Sequence, residues 1–292
     1  MEQEPVERAL GAAVWGRKVA RLPDEGVLIY STDLHGNLDD YERLKAIYYA
    51  EQLAGNQPIL AFCGDLVHGP DNDRYGVDRW PAHLGTRYID RSVELILDFE
   101  RFTRRERAFS LIGNHEHAHV GGPVVPKFYP DEARVLDLAL GEDAPRIHEF
   151  FRSFPLIAFS SGGVVLTHAA PAATEVDIPA FEALSYEGYE RTPLMRMADR
   201  DTVGALLWSR YADDSAALAL LSALGLGAEG FIAYGHDIVR EGYAREGQHM
   251  LNVSTSFALF DPRKVYLRLD LARRYSSAAD LADDVEILKL YP

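Results

Sequence analysis

A short apolar run, Ala108 to Ile112, stops at Gly113 and is followed at once by Asn114, His115 and Glu116. A run of this length reads as a buried strand, and the glycine lets the backbone turn at its carboxyl end. Open α/β sheets carry their functional groups at that end of their strands. The pattern recurs along the chain. Val27 to Tyr30 leads into Asp33 and His35, Pro58 to Phe62 ends at Gly64-Asp65, the run from Val164 ends at His168, and Phe231 to Tyr234 ends at Gly235-His236.

Amphipathic segments separate the first three runs. Leu38, Tyr41, Leu44, Ile47 and Tyr48 recur at helical spacing, with Asn37 placed to cap that helix and Asp39 and Asp40 in its first turn. A second helix is expected around Ile89, Val93, Ile96 and Leu97. Strand, helix, strand, helix, strand is the order of a layered α/β fold. Pro155–Phe159 and Val164–His168, joined by Ser160-Ser161-Gly162-Gly163, read as a hairpin, so the sheet is expected to be mixed. Asp131 to Leu140, Val203 to Trp208 and Ala216 to Leu224 read as helices. Met250 to Val253 and Val265 to Leu271 read as closing strands. Residues 1–26 are expected to form an N-terminal helical extension, since Val6, Leu10 and Val14 share a helix face. Residues 27–292 are taken as one domain, because the polar strand ends run from Asp33 to His236 and any cut would divide them.

The chain of 292 residues is long enough to bury about three quarters of its unfolded surface. Its formal net charge is −15, which disfavours nucleic acid and anionic membranes as partners. No apolar run is long enough to span a bilayer, and the acidic start lacks a signal core. The single cysteine, Cys63, allows no internal disulfide and suits the cytoplasm; within its apolar run it reads as buried and inert.

Carboxylate, carboxamide and imidazole donors without thiolates suit a divalent ion such as Mn, Fe or Zn. Asp33 and His35 alternate on an extended segment and can serve one ion. Asn114, His168 and His236 can serve a second, and Asp65 can bridge the two. Two ions roughly 3.5–4 Å apart would hold a bridging hydroxide and clamp a phosphoryl group for in-line attack. His115, free of the ions in this scheme, is the candidate general acid for the leaving group. Glu116 is expected to brace the loop. His117 and His119 continue no motif and are expected on a solvated loop, as is the run Asp71-Asn72-Asp73.

Asp33-x-His35-Gly36-Asn37, Gly64-Asp65, Gly113-Asn114-His115-Glu116, Thr167-His168-Ala169 and Gly235-His236 together resemble the calcineurin-like metallophosphoesterases, in that order. Leu206-Leu207-Trp208-Ser209, Phe154-Pro155-Leu156 and Gly242-Tyr243 are similar to segments of the phosphoprotein phosphatase branch, the serine/threonine phosphatases. Gly64-Asp65-Leu66-Val67 with Gly69-Pro70 is similar to its diadenosine tetraphosphatase cousins. The resemblance covers residues 27–270. It implies a central mixed β-sandwich flanked by helices, a dinuclear metal centre and phosphoester hydrolysis. The chain departs from the family at the second motif, usually Gly-Asp-x-Val-Asp-Arg-Gly, which here reads Gly64-Asp65-Leu66-Val67-His68-Gly69. The arginine that grips phosphate is missing, and either His68 stands where an aspartate would orient the catalytic histidine or the loop is one residue short. Arg210, His68 and Asn114 are therefore the expected substrate contacts, with Arg240, Arg74 and His117 as further candidates.

Three functions follow as expectations. The first is metal-dependent hydrolysis of a phosphate monoester, on a phosphoprotein or a small phosphorylated molecule. The second is hydrolysis of a phosphoanhydride such as a dinucleotide polyphosphate. The third is a catalytically silent binding module of the same fold.

Overall fold

The computed structural model describes residues 8–292. Eleven strands alternate with eight helices: β1 Val19–Arg21, β2 Val27–Ser31, α1 Leu38–Leu53, β3 Ile59–Phe62, α2 Ser92–Arg105, β4 Ala108–Ser110, α3 Asn114–His117, α4 Glu132–Leu140, α5 Ala144–Arg152, β5 Ile157–Phe159, β6 Val164–Thr167, α6 Ile178–Glu182, α7 Thr202–Trp208, α8 Asp214–Ala223, β7 Phe231–Tyr234, β8 Tyr243–Glu246, β9 Met250–Val253, β10 Val265–Asp270 and β11 Ile287–Lys289. They build two mixed sheets, one ordered β11-β10-β2-β3-β4 and the other β1-β5-β6-β7-β9-β8.

Side-chain alternation explains how the sheets stack. On β2, Leu28 and Tyr30 point into one apolar core while Val27 and Ile29 point into another. On β3, Ile59 and Ala61 join the first core, and Leu60 and Phe62 join the second. In the other sheet Leu166, Ala233 and Leu251 meet that first core, which therefore fills the space between the sheets. Helices cover the outer faces: Leu44 and Tyr48 of α1 and Leu95 and Phe99 of α2 pack over Leu60 and Phe62. Strands buried on both sides read as unbroken apolar runs, which is how they appear in the sequence. The result is a mixed β-sandwich flanked by helices.

Strand direction places the site. β2, β3 and β4 run parallel, with Tyr30 opposite Ala61 and Phe62 opposite Ser110. β6 and β7 also run parallel, with Leu166 opposite Ala233. Each sheet thus delivers its polar carboxyl ends to one edge. The hairpin forms as expected, β5 antiparallel to β6, and Asn37 caps α1 by accepting from the Asp40 N–H.

The start of the chain differs from expectation. Val6 lies outside the described residues. From residue 8 onward there is one 3-10 turn, Gly11–Ala13, and then β1, which pairs in parallel with β5. Gly11 and Gly16 adopt φ of 56° and 76°, a left-handed geometry that stops a helix. Val14 is buried between the sheets, Trp15 stacks on Phe150, and Val19-Ala20 completes a sheet edge. The segment up to residue 26 is therefore part of the sandwich where described, not a helical extension. α2 begins at Ser92, later than Ile89, because the Asp90 carboxylate accepts from the Ser92 N–H and Oγ–H and holds a turn there. α5, which starts with Ala144-Pro145, went unread since proline ends most helices but is tolerated in a first turn. No helix among the described residues is long and apolar enough to cross a membrane.

Candidate metal centre

The polar residues at the strand ends sit on bent backbone. Eight non-glycine residues have positive φ, and five belong to these loops: Asp33, His35, Asp65, His68 and His236. Such conformations cost of order 1–3 kcal/mol each and persist only where the surroundings impose them. The surroundings do so here. Glu116 is fully buried, and its carboxylate accepts from the N–H groups of Asp65, Leu66 and Gly113, which ties the β3 and β4 loops together. Asp33 joins the two sheets by accepting from the His236 N–H at 3.2 Å. Glycine is required where these loops touch. A Cβ on Gly113 would stand 2.3 Å from Asp65 Oδ1, and one on Gly235 would stand 2.3 Å from Asp33 Oδ2.

Asp65 lies at the centre. Its Oδ2 is 3.7 Å from His35 Nε2 and its Oδ1 is 3.7 Å from His168 Nε2. It is shared by two convergent donor sets, His35–Asp65–His115 and Asp65–His168–His236. Asn114 Oδ1 lies 3.0 Å from His168 Nε2 and 3.1 Å from His236 Nδ1. Asp33 gathers with Cys63 and His168, and it shares a cavity wall with His35 and His236. Cys63 is buried, and burial followed by the Asp33 and Asp65 charges pushes its thiol up, away from a ligating thiolate.

Tautomers test whether cations suit this cluster. His35 Nδ1 faces the carbonyls of Val67 and His68 at 3.2 and 3.1 Å, so its proton sits there and Nε2 is left as a lone pair. His168 Nδ1 faces the Cys63 carbonyl at 2.8 Å, which leaves its Nε2 lone pair against the Asn114 carboxamide oxygen. Two acceptors facing each other are relieved by a cation between them. His236 Nε2 is buried with no partner at all. Burial together with the Asp65 charge pushes Asp33 up to about 6, and burial pushes Asp65 up to about 7. Burial lowers His35, His168 and His236, which keeps their imidazoles neutral, the form that ligates. Oxygen and imidazole donors of this kind fit two borderline or hard divalent ions with Asp65 between them.

The second motif behaves differently from its sequence reading. His68 does not face the cleft from the side of a substrate. It is 4% exposed and stands behind His115, with the two Nδ1 atoms 2.9 Å apart. Its Nε2 is 2.9 Å from His119 Nε2. His117 and His119 are both buried, contrary to the expectation of a solvated loop. Gly113 starts a helical turn that folds them inward, where His117 Nε2 meets the Tyr186 carbonyl at 2.7 Å. Arg240 binds the carbonyls of His83 and Ala258. Arg210 pairs with Asp237, with its side chain 68% exposed at the rim.

Two side chains at the site had no motif to mark them in the sequence. Lys127 belongs to an exposed stretch of loop, yet its Nζ reaches in to 3.0 Å from His35 Nε2, where its charge is felt by Asp65 and Asp33. With Arg210 and His236 it lines a cavity of ≈ 280 Å³ that also reaches Asp65, Asn114 and His115. Glu132, the first residue of α4, brings Oε2 to 3.0 Å from His115 Nδ1 and 3.6 Å from His68 Nδ1, ion-pair distances off the line of a hydrogen bond. It contacts His115, the residue that the aspartate missing from the second motif is expected to orient. The only local signal for Lys127 is a lone cation in the apolar loop Val124-Val125-Pro126-Lys127-Phe128, and Glu132 has none.

Among solved structures, the fold is similar to a protein serine/threonine phosphatase from Saccharomyces cerevisiae with similarity to human phosphatase PP5. That likeness has a TM-score of 0.54 at 13% identity over 94% of this chain and 87% of that one. A metallophosphoesterase from Sphaerobacter thermophilus aligns with a TM-score of 0.42 at 13% identity, over 87% and 86% of the two chains. A search of curated protein sequences finds no match. The sequence profile of the calcineurin-like phosphoesterases matches residues 28–239, the span that carries all five polar strand ends. Fold, motif order and profile agree, and the chain belongs to the calcineurin-like phosphoesterases, metal-dependent hydrolases of phosphoric esters.

Proposed function

We propose that the protein is a phosphatase that hydrolyses a phosphate monoester, as in the phosphoprotein phosphatase branch, with His115 as general acid. The observation that carries this reading is the Asp65 carboxylate shared between two donor sets, with His115 Nε2 3.9 Å from it. His35 and Asp65 would hold one divalent ion, and Asn114, His168 and His236 the second, with Asp65 common to both and Asp33 beside them. Manganese, iron or zinc at these positions would supply a nucleophile from water near neutral pH and offset charge on the phosphoryl oxygens.

The remaining roles fall to the chain itself. Lys127 and Arg210 face the same cavity and hold the phosphate in place of the arginine missing from the second motif. The Asn114 carboxamide lies within the same reach. His115 is kept neutral by burial, so it enters the reaction carrying one proton and gives it to the leaving oxygen. Glu132 and His68 fix its ring from behind. The polar segment from Thr174 to Arg200 borders this region: Leu194 lines the cavity, and Tyr186 takes the His117 contact. The substrate is a phosphorylated small molecule or phosphoprotein, since a net charge of −15 opposes nucleic acid and anionic membranes. The buried lone cysteine suits the cytoplasm.

The test is product analysis with manganese present, on p-nitrophenyl phosphate, a phosphopeptide and diadenosine tetraphosphate. Release of inorganic phosphate from the monoesters supports the reading. Cleavage of the dinucleotide alone transfers the assignment to phosphoanhydrides, and no turnover with any divalent ion makes the protein a silent module.

A further inference from the structure

Outside the cavity, a second group of ligating side chains gathers where α4, α5 and the turn after α3 meet. His119 Nδ1 lies 3.0 Å from Asp137 Oδ1 and 3.3 Å from His148 Nε2, and the latter is 2.7 Å from the same Asp137 oxygen. From these distances we propose that His119, Asp137 and His148 form a separate metal site that takes a borderline divalent ion such as zinc.

Several features favour it. Ligands at about 2.0–2.1 Å from a tetrahedral zinc stand roughly 3.3 Å from one another. The two imidazole nitrogens already have that spacing. The carboxylate needs to retreat by about half an ångström, and the Asp137 side chain is 35% exposed, so it has room to do so. Two imidazoles and a carboxylate are an established zinc donor set, and the exposed side leaves a fourth position for water. His119 also has the support that ligating histidines need. Its Nε2 abuts His68 Nε2 at 2.9 Å, so when an ion replaces the proton at Nδ1 the ring can carry its hydrogen at Nε2 against His68. Asp137 already carries its charge. Burial alone would raise it, but the His119 and His148 N–H groups hold its carboxyl below the ordinary range. An ion here would fasten helices α4 and α5 to the loop that carries His115. Nothing in the site depends on the central cluster being occupied.

The rival is a hydrogen-bonded triad in which Asp137 accepts from both imidazoles. Metal counting separates the two. The full-length protein is stripped with chelator, dialysed against zinc and analysed by emission spectrometry, in parallel with His148→Gln, Asp137→Ala and Asp65→Asn. The site predicts that His148→Gln and Asp137→Ala each hold one zinc fewer than wild type, while Asp65→Asn keeps the outer ion. Cobalt loading gives a second readout: His148→Gln loses a tetrahedral visible absorption that Asp65→Asn retains. Because the His148 side chain is only 27% exposed, far-ultraviolet circular dichroism confirms that the variant is folded. Equal zinc content and equal cobalt spectra in wild type and folded His148→Gln would overturn the proposal.

Discussion

Two histidine clusters lie on either side of His68 and are built in opposite ways. The central one rests on loops at strand ends, with Asp33, His35, Asp65 and His236 at positive φ and glycines where loops touch. The outer one rests on two helices and a turn, and His119, Asp137 and His148 show no such strain. Strain of that kind is the mark of a site whose geometry is imposed, and it accompanies chemistry; relaxed helical positions accompany binding and bracing. Electrostatics divides the clusters along the same line. Asp33 and Asp65 are pushed up by burial and by crowding of negative charge, whereas Asp137 is held down by its imidazole partners.

That contrast can be broken by mutation. Asp65→Asn, which removes the carboxylate shared by both donor sets, is expected to lower kcat by at least about 10³-fold. His148→Gln in the outer cluster is expected to lower it by no more than about tenfold. Steady-state rates on p-nitrophenyl phosphate decide between them, and equal losses would erase the distinction. His115→Asn comes next, with a loss of roughly 10²–10⁴-fold. The loss should be larger on an alkyl phosphate than on p-nitrophenyl phosphate, whose leaving group needs no proton. A uniform loss would take the acid role from His115.

The pH response sharpens the comparison. Central ions compete with protons for Asp33, which is pushed up to about 6, and Asp65, pushed up to about 7. Protons win as pH falls, so manganese affinity at the centre should decline from pH 7 downward, by about tenfold per unit or more below pH 6. Asp137 is held below the ordinary carboxyl range, so the outer site should weaken less steeply than the centre. Isothermal titration at several pH values measures both. The smallest effect concerns the two cations. Lys127→Met should raise KM for a phosphorylated substrate by about tenfold, and Arg210→Met by less, because the Lys127 ammonium lies against His35 whereas Arg210 is already paired with Asp237 at the rim.

Much of the centre could be read from the sequence because each of its residues follows an apolar run and a bend. Asp65 and His236 sit directly after a glycine, and Asn114 follows Gly113. Parallel strands turn that local pattern into spatial convergence without further information. The interior behind His115 could not be read in that way. Glu132 arrives from a helix, and Lys127 from an irregular loop, so no spacing ties them to the motifs they serve. His68 was legible as a departure but not as a buried link, since burial depends on what packs over it. The N-terminal segment failed for a related reason. Its apolar residues are spaced for a helix face, yet two glycines and an open sheet edge made a strand the better use of them.

The row His115, His68, His119 has a property that none of its members has alone. Burial keeps all three rings neutral, so each carries one hydrogen and one bare nitrogen, and neighbours touch nitrogen to nitrogen. A hydrogen placed at one contact of the row constrains its neighbours, so the His119–Asp137 contact and the His115 ring are joined through His68.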